Sequence, residues 1–402
     1  MYATSGFQRF QESIQKLHHY LLIAFAFALP ISVGLTNLLI GLIVLLWLFE
    51  GNFKTKYDTI IHHPLAVWIL LFLAAHLIGL LWSEDLKWGS NILKKEAKLL
   101  LVPIFLTIIQ PKYFKNYLLA FIVAISFSEL VSYGIWLEWI PPTSSCDPYS
   151  PTPFMSHISY SPFLAFTIYL LLHELLFDAK LSERQKWIAI FFTISMTFNL
   201  FISGGRAGQV GFFTLITLII FQFFHRNLFK AAALVTAILP IVFISMYSLS
   251  SSFHSRIDMA INEINTYDQT AKTSVGQRIT FVKNTLPIIL EHPLLGVGTG
   301  DFRLAYTTVN EQNSPLISVP DQPHNMYLLV LSQLGIFGLI PFLMIFITQL
   351  RISMKKISPY YRLQAALPLL FIVIMLSDSY LLGHFTTMLF VFFSALLFKE
   401  YS

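Results

Sequence analysis

Apolar runs long enough to cross a lipid bilayer recur from one end of this chain to the other, and they fix its fold class. Residues 66–82, AVWILLFLAAHLIGLLW, hold a single histidine among otherwise apolar or small positions. About 17 to 25 such residues span a hydrocarbon core of roughly 30 Å, where unpaired backbone groups are intolerable, so each run must be helical. Hydrophobic residues make up 55% of the 402 and charged ones only 12%, and the mean hydropathy of +0.67 lies outside the soluble globular range. The expectation is an all-α polytopic membrane protein.

Twelve spans are expected, at 18–35, 36–49, 65–81, 97–110, 117–138, 157–177, 186–203, 207–224, 230–249, 325–349, 363–377 and 379–398. The first two are separate because Pro30, Gly34 and Asn37 interrupt a run too long for one crossing. No small-x-small cleavage site follows the first run, which therefore reads as an uncleaved helix. Lys54 and Lys56, Lys112 and Lys115, Lys180 with Arg184 and Lys186, Arg226 and Lys230, and Arg351 with Lys355 and Lys356 crowd one side of the membrane. Loops on the other side hold acids such as Asp147 and Asp378. The positive-inside rule then puts both termini in the cytoplasm and assigns most of the net charge of +5 to anchoring residues. The exception is the outer segment 82–98, with Lys87, Lys94, Lys95 and Lys98, which reads as an interfacial amphipathic stretch or as a feature for an anionic ligand.

The organisation that follows is nine spans over residues 1–249, one large outer loop at 250–323, and three C-terminal helices over 324–402. Within the loop, SSFHSRIDMAINEI and GQRITFVKNTLPIILEHP carry apolar residues at helical spacing, too few to span. They are expected to be amphipathic helices at the membrane surface, the second with Ile279, Val282, Leu286 and Ile289 on one face. The single Cys146 forms no internal disulfide and sits in no ligand spacing.

Candidate chemistry gathers at the outer face. Arg206, in NLFISGGRAGQVGFF, sits between two apolar runs, where a charge faces a partner or a water-filled cavity, or else snorkels from a tight turn. Gly204, Gly205 and Gly208 permit close approach, and the helix that follows points its N-terminal amides outward, which suits phosphate. Arg278, beside Gln277, is a solvated-face arginine taken alone; converging with Arg206 it suits a diphosphate, since each guanidinium binds one bidentately. GVGTGDF, residues 296–302, fails as a nucleotide loop because Asp301 replaces the third glycine and no Walker lysine follows, so it reads as a flexible turn. Asp301 and Asp321 read as solvated loop acids, or as groups that bind a metal or orient a base. The pairs His18–His19 and His62–His63 flank helix ends with no further ligand at useful spacing. In DQPHNMYLLV, Pro323 is able to begin a helix, which places His324 and Asn325 in its first turn, as capping groups or with His324 as a general base.

The order of these pieces resembles the bacterial O-antigen ligase and polymerase superfamily of membrane glycosyltransferases. The similarity runs over roughly residues 190–349: the glycine-flanked Arg206, a large outer loop with Arg278, HPLLGVGTGDF, and PHNMYLLVLSQLGIFGLIPFL. WSEDLKWG after the third span adds a weaker likeness. The resemblance implies an inner-membrane ligase that moves a glycan from an undecaprenyl-diphosphate carrier to lipid A–core oligosaccharide at the periplasmic face, inverting, without nucleotide, cofactor or essential metal. It implies that Arg206 and Arg278 grip the donor diphosphate and that His324 activates the acceptor hydroxyl, with Asn325, Asp321, Gly205 and Gln277 in support. The expected partners are donor, acceptor and membrane lipids, and no nucleic acid. A polymerase would use the same donor grip. A transporter would instead carry charged or helix-breaking residues near mid-span and symmetry between halves; here the polar residues cluster at one face, and the intramembrane Pro240 and Pro368 have no charged companions, so kinks account for them.

Overall fold

The computed structural model describes residues 6–141, 146–266 and 272–399. The chain ends assigned to the cytoplasm, residues 1–5 and 400–402, and residues 267–271 of the outer loop lie outside the described residues. The fold is all-helical; among the described residues there is no strand, only an isolated bridge between Asp147 and Ser150. In chain order the helices are α1 (Gly6–Ala28), α2 (Val33–Phe49), α3 (Phe53–His62), α4 (Pro64–Gly79), α5 (Leu86–Glu96), α6 (Leu101–Ile108), α7 (Phe114–Trp136), α8 (His157–Phe177) and α9 (Glu183–Ile202). Then come α10 (Arg206–Phe223), α11 (Leu228–Leu249), α12 (Ser251–Asn265), α13 (Ser274–Glu291), α14 (Phe302–Asn313), α15 (Met326–Lys355), α16 (Tyr361–Ile374) and α17 (His384–Phe398).

Seven of these, counted by length and composition, are able to cross a membrane, or eight if α2 and α3, bent by 115°, count as one broken span. The expectation of twelve is higher because several apolar runs are interrupted. Residues 97–110 split into a 3-10 turn, Ala97–Leu100, and α6 of eight residues carrying Pro103. The helices α16 and α17 have 14 and 15 residues, and the segment between them, 375–383, is irregular. The first helix starts well before residue 18 and stops before Pro30.

Sequence hydropathy does not sort these helices by depth. Every residue of α17 from Thr386 to Phe398 is buried, whereas Ala231 is the one buried residue of α11. Lipid tails are as apolar as leucine, so close packing and buried polar bonds decide which helices go inside. Phe390, Phe392 and Phe393 of α17 meet rings on α1, α7, α8, α15 and α16. Gln349 Nε2 donates to Ser394 Oγ (2.9 Å), and Gln364 Nε2 donates to the Leu397 carbonyl (2.7 Å).

The glycine-rich stretch after α13 is a clasp, not a flexible turn. Gly335 interrupts α15 with φ 58° and ψ −157°, where a Cβ would lie 2.3 Å from the Leu294 carbonyl carbon. The loop that follows α13 pairs with the groups this break frees. Val297 and Gly298 N–H donate to the Ser332 and Gln333 carbonyls (both 2.9 Å), while Ile336 and Phe337 N–H donate to Pro293 and Leu294 (3.0 and 3.1 Å). Irregular backbone at membrane depth is tolerated only where protein satisfies it in this way. Asp301, expected to be solvated, is buried; it accepts from Ser83 Oγ (3.0 Å) and from Glu84 and Asp85 N–H (2.7 and 2.9 Å), fixing the turn that starts α5.

Candidate active site

The turn between α9 and α10 is tight for local reasons. Gly204 has φ +75°, and a Cβ there would fall 2.6 to 2.9 Å from the Arg256 guanidinium. Gly205 is the N-cap of α10, where a Cβ would meet Ser161 Oγ at 2.0 Å. The glycines thus let α10 begin directly against α8 and leave its first amides without a side-chain cap. Arg206 is the first residue of α10, and its buried Nε has no hydrogen-bond partner among the described residues.

Two helices of the 250–323 segment, α12 and α13, supply the other guanidiniums. Ser250 caps α12 by accepting from Phe253 N–H (3.2 Å) and ties it to α9 by donating to the Phe201 carbonyl (3.1 Å). The Phe253 ring packs edge-on against Phe201, 4.8 Å between centroids, and this docking brings Arg256 over the turn. The buried side of α13 includes Thr280, Phe281, Asn284, Thr285 and Ile288, with Asn284 Nδ2 donating to Ser314 Oγ (2.7 Å). Val282 and Leu286, expected on one apolar face with Ile289, are exposed while Ile289 is buried, because Asn284 is bonded inward by α14 and the loop after it. Arg278 on α13 donates to Ser274 Oγ (2.9 Å) and keeps a buried Nε without a partner.

These elements enclose a cavity of about 410 Å³ whose wall includes His157, Arg206, Arg256, Glu263, Arg278 and Asp378. Among the described residues, none of the three arginines has a carboxylate within 4.0 Å, while Glu263 accepts from the Val275 N–H (2.9 Å). Three guanidiniums and a helix N-terminus facing one cavity form a site for a multiply charged anion.

His324 stands beside this cavity. It precedes α15 instead of lying in its first turn, with φ 50° in the left-handed region, and Asn325 is the N-cap that accepts from Leu328 N–H (3.1 Å). A non-glycine residue held there is strained, and such strain gathers at sites where geometry matters. The imidazole stacks on Phe281, 5.8 Å between centroids, and its Nδ1 lies 3.3 Å from Asp378 Oδ1. With Nδ1–H donating to the carboxylate, Nε2 is left as the basic nitrogen. Asp378 also accepts from Gln322 Nε2 (3.1 Å) and from the Ser379 N–H (2.7 Å).

Arg206, Arg278 and Gly205 therefore meet at one cavity, and His324 is one hydrogen bond away from its wall. Asp321 lies elsewhere: it is exposed, pairs with Arg303 (3.0 Å) and lines an adjoining cavity. Gln277 is half-buried and not part of the arginine cavity's wall, and Asn325 also donates to the Leu376 carbonyl (3.1 Å), holding α15 against the 375–383 segment. Arg256, His157 and Asp378 are the residues that sequence reasoning missed. Asp378 left a signal, an acid in the polar break SDSYLLGH between apolar runs; Arg256 is one charge among several on an amphipathic helix and left none. Among the described residues, no three His, Cys, Asp or Glu side chains gather as metal ligands.

Residues 191–343 match a family model described as O-Antigen ligase. The match contains Arg206, Arg256, Arg278 and His324 and stops short of Asp378. No curated protein matches the chain.

Proposed function

We propose that this chain, whose residues 191–343 match the O-Antigen ligase family model, is a membrane glycosyltransferase that transfers a glycan from undecaprenyl diphosphate to lipid A–core oligosaccharide at the periplasmic face of the bacterial inner membrane. The observation that carries the reading is the convergence on one cavity of three arginines that, among the described residues, have no carboxylate within 4.0 Å, with the carboxylate bonded to His324 in the same wall.

In the proposed reaction the donor diphosphate sits among Arg206, Arg256 and Arg278 at the N-terminus of α10, where charge-assisted hydrogen bonds are strong. An acceptor hydroxyl oxygen attacks the anomeric carbon and gives its proton to His324 Nε2. The bond from the anomeric carbon to the phosphate oxygen breaks, and the polyprenyl diphosphate leaves with the electron pair. The arginines stabilise the charge that develops there, and Asp378 stabilises the imidazolium. A single displacement inverts the anomeric centre. The apolar chain of the carrier remains in the bilayer, which accounts for a site at the mouth of membrane helices.

The test is the lipopolysaccharide profile of a deletion strain complemented with wild type, Arg206→Ala, Arg278→Ala or His324→Ala, with membrane protein levels checked by blot. Loss of the O-antigen ladder with accumulation of long carrier-linked chains is the expected result for each variant. A core capped by single repeat units would instead assign a polymerase, and an unchanged ladder in all three would end the glycosyltransferase reading.

A further inference from the structure

A second cavity, about 250 Å³, adjoins the arginine cavity, and the two share Ile158, Asp378 and Tyr380 as a common wall. Its other side is α5, the basic outer segment, which contributes Trp88, Ile92 and Lys95. Positions 88, 92 and 95 follow helical spacing, so one face of α5 looks into the cavity. That face is held in place: Asp301 fixes the turn before α5, and Asp85 Oδ1 caps the helix by accepting from the Trp88 N–H (2.9 Å).

The chemistry of this wall differs from that of its neighbour. Trp88 is half-exposed and offers an indole ring, the kind of surface on which the apolar face of a sugar rests. Asp321 and Asp378 offer carboxylates to hydroxyl groups. Gln322 also lines the cavity, where its Nε2 donates to Asp378 Oδ1 (3.1 Å) and holds that carboxylate in the shared wall. The Lys95 ammonium lies 6.0 Å from the Trp88 ring centroid and, among the described residues, has no carboxylate within salt-bridge distance. An aromatic platform, hydroxyl acceptors and one free cation together describe a site for a sugar that carries a phosphate or a carboxylate.

We infer that this second cavity is the acceptor subsite and that it selects an anionic acceptor glycan, delivering its hydroxyl past Asp378 to the His324 base. The inference rests on the transfer reading above and adds what that reading leaves open, the place and charge of the acceptor. The donor anion belongs to the three arginines on one side of Asp378, the acceptor anion to Lys95 on the other.

The experiment uses purified full-length protein in nanodiscs, a polyprenyl-diphosphate-linked glycan as donor, and lipid A–core as acceptor, either phosphorylated or enzymatically dephosphorylated. Trp88→Ala and Lys95→Ala are expected to raise the KM for phosphorylated acceptor about tenfold, with kcat and donor KM unchanged, and Trp88→Phe is expected to restore most of the loss. Lys95→Ala is expected to abolish the wild-type preference for the phosphorylated core. Wild-type acceptor KM in both alanine variants, or a shift confined to donor KM, would overturn the subsite while leaving the transfer reading intact. Should wild type fail to transfer to lipid A–core, that reading fails instead, and direct binding of fluorescently labelled core oligosaccharide decides the subsite by its loss in the same variants. Equal displacement of that label by phosphatidylglycerol would mark a lipid headgroup site and also overturn it.

Discussion

Two glycine-rich stretches in this chain invite a ligand, and only one of them has room for it. Residues 296–301 look like a phosphate loop, yet the groups described there are spoken for: Gly298 N–H on Gln333, Thr299 N–H on Gly79, Gly300 N–H on the Gln333 side chain, Asp301 on three donors. At residues 203–208 the glycines bring helices close, while Arg206 lines a cavity together with Arg256 and Arg278 and, among the described residues, has no carboxylate within 4.0 Å. Glycines mark close approach in both cases, and charge without a carboxylate partner lining a cavity separates a binding site from a structural joint.

The strongest way to break this comparison is to remove charge from the cavity. Arg206→Ala and Arg278→Ala are each expected to lower transfer by about 10²- to 10³-fold, since each removes a donor aimed at the leaving group, with an unchanged thermal unfolding midpoint. A fall in stability that matches the fall in rate would place these arginines with the joint. Asp378→Asn comes next, with an expected loss of about 10²-fold in kcat and little change in donor KM, because it disturbs the His324 base and leaves the arginines alone. Steady-state kinetics with separately varied donor and acceptor read that split.

The clasp is expected to answer in the opposite currency. Asp301→Ala leaves Ser83 Oγ and two backbone N–H groups without their acceptor and is expected to cost on the order of 3 kcal/mol of stability, seen as a lower unfolding midpoint in detergent. Activity per folded molecule should fall far less than in the arginine variants. The smallest effect sharpens the rule itself. Glu96 is buried, both its carboxyl oxygens lack partners, and it lines neither the arginine cavity nor its neighbour; burial, only partly opposed by Lys98, pushes its pKa up to about 8. The folded state therefore holds a proton that the unfolded state releases near 4.5, so this residue's contribution to stability falls as pH rises from about 4.5 to 8. Glu96→Gln is expected to unfold at the same temperature as wild type at acid pH and a few degrees higher above pH 8, with unchanged transfer; a loss of activity would give Glu96 a role in the site.

How much of this was legible in advance depends on the range of the interaction. The irregular segment 375–383 reads in the sequence as the ends of two spans, 363–377 and 379–398, because its apolar flanks look like continuous helices, yet it carries Asp378 to the junction of two cavities. The break in α15 is equally hidden, because a backbone reversal at Gly335 has no signature in the sequence beyond the glycine itself.

By itself the sequence determined that this protein is a bundle of membrane helices, that Arg206 and His324 stand at helix ends, and that Arg278 lies on a short amphipathic helix. Local hydropathy, glycine and proline carry that information within a few residues. Only the tertiary structure decided that α17 lies at the core and α11 faces outward, that Arg256 joins the other two arginines, and that Asp378 holds His324. In lipid every helix is apolar, so burial leaves no mark in composition. Groups more than fifty residues apart meet only through packing that no local pattern records.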